Sequence, residues 1–154
     1  MARIEIAKLV AVSSEEVFVF FAPQRMAYWY GAEMASCLEL QEGAADFRVG
    51  LKVRISGRIG RKSISHTAVV PAFEYGRLLE WRFQDAYGVR GKERWELVRL
   101  AGHDGAETRV LFINEYASPG RAGRVVDWLL TRHALARRNR EYLERLARLA
   151  ERRA

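Results

Sequence analysis

The 154-residue chain predicts an α+β fold in which a seven-stranded, curved antiparallel sheet wraps around one long C-terminal helix, with two short helices after the first strand. Three observations carry this reading. Seven segments alternate apolar and polar residues with the period of two that a half-buried strand requires. The separators between the last six are short and turn-prone, which leaves no room for the crossover helices that parallel strands need. The last 35 or so residues repeat apolar side chains every 3.6 positions and form the only long element able to cover the sheet's apolar face.

The elements follow in order. Ile4, Ile6, Ala7, Leu9, Val10 and Val12 make the first strand. It ends at Ser13-Ser14-Glu15-Glu16, where Ser13 as N-cap and Glu16 three residues on fit a capping box. A short helix, Glu15 to Phe21, carries Val17, Phe18, Phe20 and Phe21 on its apolar face, and Pro23 stops it. A second short segment, Gln24 to Tyr30, is aromatic at its end and closed by Gly31; Tyr28, Trp29 and Tyr30 suit a packed core edge or an aromatic flap over a cavity.

From Ser36 the period changes to two. Strands are predicted at Cys37 to Glu42, Phe47 to Ile59, Lys62 to Phe73, Leu78 to Asp85, Val89 to Leu100 and Glu107 to Ala117. Turn residues separate them at Glu42-Gly43, Ile59-Gly60-Arg61, Glu74-Tyr75-Gly76, Ala86-Tyr87-Gly88 and Gly102-His103-Asp104-Gly105. Ser118-Pro119-Gly120 then opens the terminal helix, Arg121 to about Glu151. Its apolar stripe reads Val125, Trp128, Leu129, Leu135, Ala136, Leu143, Leu146 and Ala150, and the same arc carries Arg132 and Asn139.

With 49% hydrophobic and 29% charged residues the chain has the makings of one ordinary core, so residues 1–154 are read as a single domain. The formal charge is +7, and residues 119–154 hold ten Arg against Asp127, Glu141, Glu144 and Glu151. The basicity therefore belongs to the helix. No aromatic platform interleaves with these arginines and no helix-turn-helix or zinc-finger spacing appears, so no nucleic-acid partner is expected. Cys37 is the single cysteine, and His66, His103 and His133 show no paired spacing, so neither a disulfide nor a metal site is expected. No apolar run is long enough to span a membrane, and a cytoplasmic protein is the simplest reading. A homodimer stays open.

Alternation also assigns faces. Val49, Leu51, Val53 and Ile55 on one strand and Leu79, Trp81 and Phe83 on another point inward. The parity that turns Trp95 and Leu97 inward turns Glu93 inward too. Val110, Phe112, Asn114 and Tyr116 share the inner face of the last strand, and Ile64, His66, Ala68 and Val70 form an inner set on the Lys62 strand. Glu93, Asn114, Tyr116, His66, Arg132 and Asn139 are thus polar groups aimed at one interior, where they need partners or a wet cavity. A Glu93–Arg132 ion pair from sheet to helix is the simplest pairing, as a strut or as the polar end of a ligand site.

In the order of its elements, in Ser13-Ser14-Glu15-Glu16-Val17-Phe18, Tyr28-Trp29, Val70 through Phe73, Arg77-Leu78-Leu79-Glu80-Trp81, Glu107-Thr108-Arg109-Val110 and the closing Arg-rich helix, the chain resembles the START-like polyketide cyclase/dehydrase and lipid-transport superfamily (SRPBCC), with its helix-grip fold. The resemblance spans the whole chain. It implies a deep cavity between sheet and helix for a lipid, quinone or polyketide-like molecule, with no cofactor. Rieske-type relatives are excluded by the single cysteine.

The expected function is binding of a hydrophobic small molecule. Leu51, Val53, Trp81, Phe83, Trp95, Phe112 and Trp128 are the expected apolar walls, and Glu93, Asn114, Tyr116, Arg132, Asn139 and His66 the polar contacts. One alternative is a cyclase or aromatase in which Glu93, His66 or Tyr116 supplies acid and base chemistry. Another is an interaction protein docking through the Arg-rich helix, whose binding would weaken steeply with salt.

Overall fold

The computed structural model describes residues 1–85, 88–101 and 106–153, with the backbone alone at 59, 62, 127 and 128. Among the described residues, seven strands form one sheet: β1 (Ala2–Val10), β2 (Cys37–Leu40), β3 (Lys52–Ile59), β4 (Lys62–Glu74), β5 (Leu78–Gln84), β6 (Arg90–Ala101) and β7 (Ala106–Ala117). Their order is β1-β7-β6-β5-β4-β3-β2, and neighbouring strands pair antiparallel. The helix-grip α+β fold is as the alternation predicts. The expected turns at Ala86-Tyr87 and Gly102 to Gly105 lie outside the described residues.

Pairing sets the site. Trp81 faces Glu93 across β5 and β6, and Glu93 in turn faces Asn114 across β6 and β7. In β4 the register shifts between Val69 and Ala72, around Pro71, which has no N–H to give the ladder. Phe47 to Leu51, expected as the start of a strand, is a loop. Gly50 sits at φ +85°, donates to the Val70 carbonyl at 2.7 Å, and throws Val49 into solvent, contrary to the inward position that alternation gave it. Phe47 and Leu51 still reach the core.

The early helices are α1 (Ser14–Phe18), continued by a 3-10 turn at Val19–Phe21, and α2 (Pro23–Met26). The capping box is present: the Glu16 amide donates to Ser13 Oγ at 3.3 Å and the Ser13 amide to Glu16 Oε2 at 2.9 Å. Phe21, Trp29, Trp81, Trp95 and Phe112 form an aromatic core, with Trp95 stacked on Phe112 at 4.7 Å and Trp29 Nε1 donating to the Phe20 carbonyl at 2.8 Å.

The C-terminal helix is built in three pieces: α3 (Gly120–Val126), a π-helical turn (Asp127–Thr131) and α4 (Arg132–Arg153). On α4 the buried side chains are Asn139, Tyr142, Leu143, Leu146, Ala147 and Ala150, the spacing of a single helical face. Upstream the cover stops. Val125 (58%), Val126 (53%), Leu129 (54%) and Leu130 (69%) are exposed, and so is Arg132. Val125, Leu129 and Arg132 were expected in the buried stripe. Helical phase gives the direction of a side chain, not whether anything lies in that direction, and cover begins only at Leu135. Among the described residues no helix is long and apolar enough to cross a membrane.

Candidate functional site

A cavity of about 300 Å³ lies between the sheet and α4. β3 and β4 line it with Ile55, Ser56, Gly57, Ile64 and His66; β5, β6 and β7 add Phe83, Glu93, Asn114 and Tyr116. The helix contributes Thr131 from the π turn and Leu135, Arg138, Asn139 and Tyr142 from α4. The remaining lining comes from Asp85, Val89 and Ser118 at the ends of β5, β6 and β7, and from the segment after α2, with Tyr30, Met34 and Ser36.

That segment owes its shape to two glycines. Gly31 sits at φ +65°, and a Cβ there would come within 2.1 Å of Ser36 Oγ, which instead donates to the Gly31 carbonyl at 2.8 Å. The chain then makes a 3-10 turn at Ala32–Met34 and passes over Gly57 of β3, where a Cβ would stand 3.0 Å from the Met34 carbonyl oxygen. Glu33 fastens this turn to the helix, accepting from Tyr142 Oη at 2.9 Å and from Arg145 Nη1 at 2.8 Å. Partial burial pushes the Glu33 carboxyl up, but Arg145, its own backbone amide and Tyr142 outweigh it and hold it below the ordinary carboxyl range.

Glu93 is the chemical centre of the cavity. It is 8% exposed; its Oε2 accepts from Tyr30 Oη at 2.6 Å and from Trp81 Nε1 at 2.9 Å, and its Oε1 has Asn114 Nδ2 at 3.4 Å. Burial pushes its pKa up, with the Tyr30 and Trp81 donors and the charge of Arg138 pulling the other way. The same burial, with Glu93 adjacent, raises Tyr30 well above the ordinary phenol range. His66 is lowered by burial, with Asp85 opposing. A carboxyl held toward its neutral form on an apolar wall can hydrogen-bond a ligand oxygen or pass it a proton.

The predicted site residues divide into three groups. Glu93, Asn114, Tyr116, His66, Asn139 and Phe83 line the cavity. Leu51, Val53, Trp81, Trp95 and Phe112 pack in the closed core behind it, and Trp81 reaches the site only through its bond to Glu93. Arg132 is exposed on the helix overhang, so the expected Glu93–Arg132 pair is replaced by Tyr30 and Trp81, with Arg138 as the nearby cation. The Trp128 side chain lies outside the described residues. Met34, Arg138 and Tyr142 were not anticipated, and Tyr30, expected at a packed core edge or on a flap over a cavity, lines the cavity. Tyr142 carried a signal, three residues after Asn139 and four before Leu146 on one helical face. Among the described residues no group of three His, Cys, Asp or Glu side chains is arranged to hold a metal.

An antiparallel seven-stranded sheet with a long C-terminal helix and short helices early in the chain is the helix-grip class of α+β fold. The chain matches the family model for polyketide cyclase/dehydrase and lipid transport over residues 1–151 and belongs to that family. Solved structures share the fold. DynU16, a protein of the dynemicin biosynthetic locus, is 22% identical with a TM-score of 0.65; the match covers 97% of this chain and 47% of that one, so this chain spans about half its length. A Staphylococcus aureus protein of unknown function is 13% identical with a TM-score of 0.74, covering 97% and 93% of the two chains. A protein from Arthrobacter aurescens solved by NMR is 17% identical with a TM-score of 0.71, covering 97% and 86%. A search of curated proteins finds no match.

Proposed function

We propose that this protein binds a compact hydrophobic small molecule bearing polar groups, in the cavity between the sheet and α4. The observation that carries the reading is the buried polar cluster of Glu93, Asn114 and Asn139 among the residues that line the cavity beside apolar Ile55, Ile64, Phe83 and Leu135. Buried polar groups are kept where they meet partners, and a few convergent ones in an apolar hollow are the usual mark of a ligand site. Membership of a cyclase/dehydrase and lipid-transport family supports it. At about 300 Å³ the cavity lies at the small end of the range of small-molecule sites, which favours a compact skeleton over a long acyl chain.

The test is binding of a fluorescent amphiphilic probe, 1-anilinonaphthalene-8-sulfonate, to the folded protein, with Leu135→Trp as the variant that fills the cavity. Probe binding that persists unchanged in Leu135→Trp sinks the reading.

A second reading is an enzyme of the cyclase or dehydratase type, favoured by the position of Glu93: raised by burial, on the cavity wall, and 2.6 Å from the Tyr30 hydroxyl. A carboxyl in that state is suited to protonate a carbonyl or take up an enol proton. On a β-polyketone substrate, Glu93→Gln then lowers turnover about 100-fold or more with binding retained. Equal turnover in the variant leaves binding as the function.

A further inference from the structure

Among the described residues, the helix wall of the cavity carries a guanidinium, that of Arg138, that no salt bridge holds. Arg138 is partly buried and lines the cavity, its Nη1 3.9 Å from Met34 Sδ, and its Nε is buried with no hydrogen-bond partner. The two carboxylates whose protonation its charge influences are held by others: Glu33 by Arg145 and Tyr142, Glu93 by Tyr30 and Trp81. Among the described residues the Arg138 guanidinium enters no ion pair.

Two further orphans belong to residues that line the same cavity. Asn139, 2% exposed, leaves Nδ2 without an acceptor, and Asn114, 4% exposed, leaves Oδ1 without a donor. A buried donor left unmade costs about 1–3 kcal/mol, more when it is charged. The fold tolerates this at two adjacent residues of one helix, both of which line the cavity. Guanidinium and amide donors together match an anionic oxygen pair, which Arg binds with planar, charge-assisted bonds. The Asn114 Oδ1 acceptor matches a hydroxyl hydrogen.

Resting on the ligand-binding reading above, we propose that the ligand is a carboxylate on a compact apolar body, held by Arg138 and Asn139, with a hydroxyl directed to Asn114. Among the described residues that line the cavity Arg138 is the one Lys or Arg, and one guanidinium suits a monoanion better than a doubly charged phosphate. The apolar body lies against Ile55, Ile64, Phe83 and Leu135, which are apolar residues of the cavity lining.

The experiment is isothermal titration of wild type, Arg138→Gln and Arg138→Lys with three probes: 2-naphthoate, 6-hydroxy-2-naphthoate and the neutral 2-naphthalenemethanol. Wild type is expected to bind the acids at least tenfold more tightly than the alcohol, with the hydroxylated acid tightest. Arg138→Gln loses that preference while binding the alcohol as before, and Arg138→Lys, which keeps the charge, retains the order at lower affinity. Circular dichroism on each variant establishes that it is folded. Alcohol binding equal to or tighter than acid binding in wild type, or an unchanged preference in Arg138→Gln, overturns the carboxylate proposal and leaves the binding reading standing. No binding of any probe to folded wild type overturns both.

Discussion

The Tyr30 hydroxyl donates to Glu93 Oε2 at 2.6 Å, joining the segment before the 3-10 turn to the centre of the sheet across 63 positions of sequence. Trp81 Nε1 donates to the same oxygen at 2.9 Å, so a single carboxyl fixes two buried donors. Replacing Glu93 by Leu strands both. The expected loss is about 2–4 kcal/mol in urea unfolding, whereas Glu93→Gln, which keeps an acceptor, loses much less. A Leu variant as stable as wild type contradicts the bond pattern.

The pH dependence of this comparison has a definite sign. Burial raises the folded-state pKa of Glu93, so the fold favours the neutral carboxyl. Its contribution is full below the ordinary carboxyl value and is lost as pH rises through the raised value. Glu93→Gln cannot ionise. Its stability relative to wild type therefore improves from pH 4 to pH 8, and a difference that stays flat or moves the other way counts against a raised Glu93.

Glu33 behaves oppositely. Its folded pKa is lowered, so the stability it adds is present above the ordinary carboxyl range and is lost as pH falls through the lowered value. Glu33→Gln is expected to cost about 0.5–1 kcal/mol, since the pair with Arg145 is partly open to solvent. Amide exchange across residues 31–36 is expected to quicken in this variant more than exchange in β6. Uniform quickening rules out a local fastening.

Gly57 tests how closely the turn rides on β3. The Cβ of Gly57→Ala lies 3.0 Å from the Met34 carbonyl oxygen, so the turn must lift by a few tenths of an ångström. Gly57→Val is expected to cost about 1–3 kcal/mol and to loosen residues 31–36. Val in place of Gly ordinarily favours a strand, so a stabilised variant means that the turn does not sit there.

The exposed quartet on α3 and the π turn separates the observed helix from a continuous buried stripe. Replacing Val125 and Leu129 together by Gln is expected to change stability by less than about 0.5 kcal/mol per residue, as at open surface sites. A loss of several kcal/mol means that both side chains are covered.

Element order and sheet faces were readable because alternation is a local property, and the capping box because Ser13 and Glu16 are three residues apart. Glu93, Asn114 and Asn139 were found as polar residues on apolar faces, a departure that only tertiary structure can excuse. Arg138 was not found. Arg132 and Asn139 are seven residues apart and share a helical phase, so the sequence favoured Arg132, whereas Arg138 reaches the cavity from the edge of the stripe on its long side chain. The extent of the sheet beneath the helix depends on long-range pairing that periodicity does not contain. Tyr30 owes its place to the turn at Gly31, which no pattern linked to Glu93.

The most direct measurement on the central claim is native mass spectrometry of freshly purified wild type beside Leu135→Trp, both folded by circular dichroism, each titrated with 6-hydroxy-2-naphthoate. Wild type is expected to carry one bound molecule, either acquired in the titration or retained from the cell and released on denaturation, and Leu135→Trp to carry none. Wild type that never holds a small molecule, or a variant with a filled cavity that binds equally well, contradicts a ligand site between the sheet and α4.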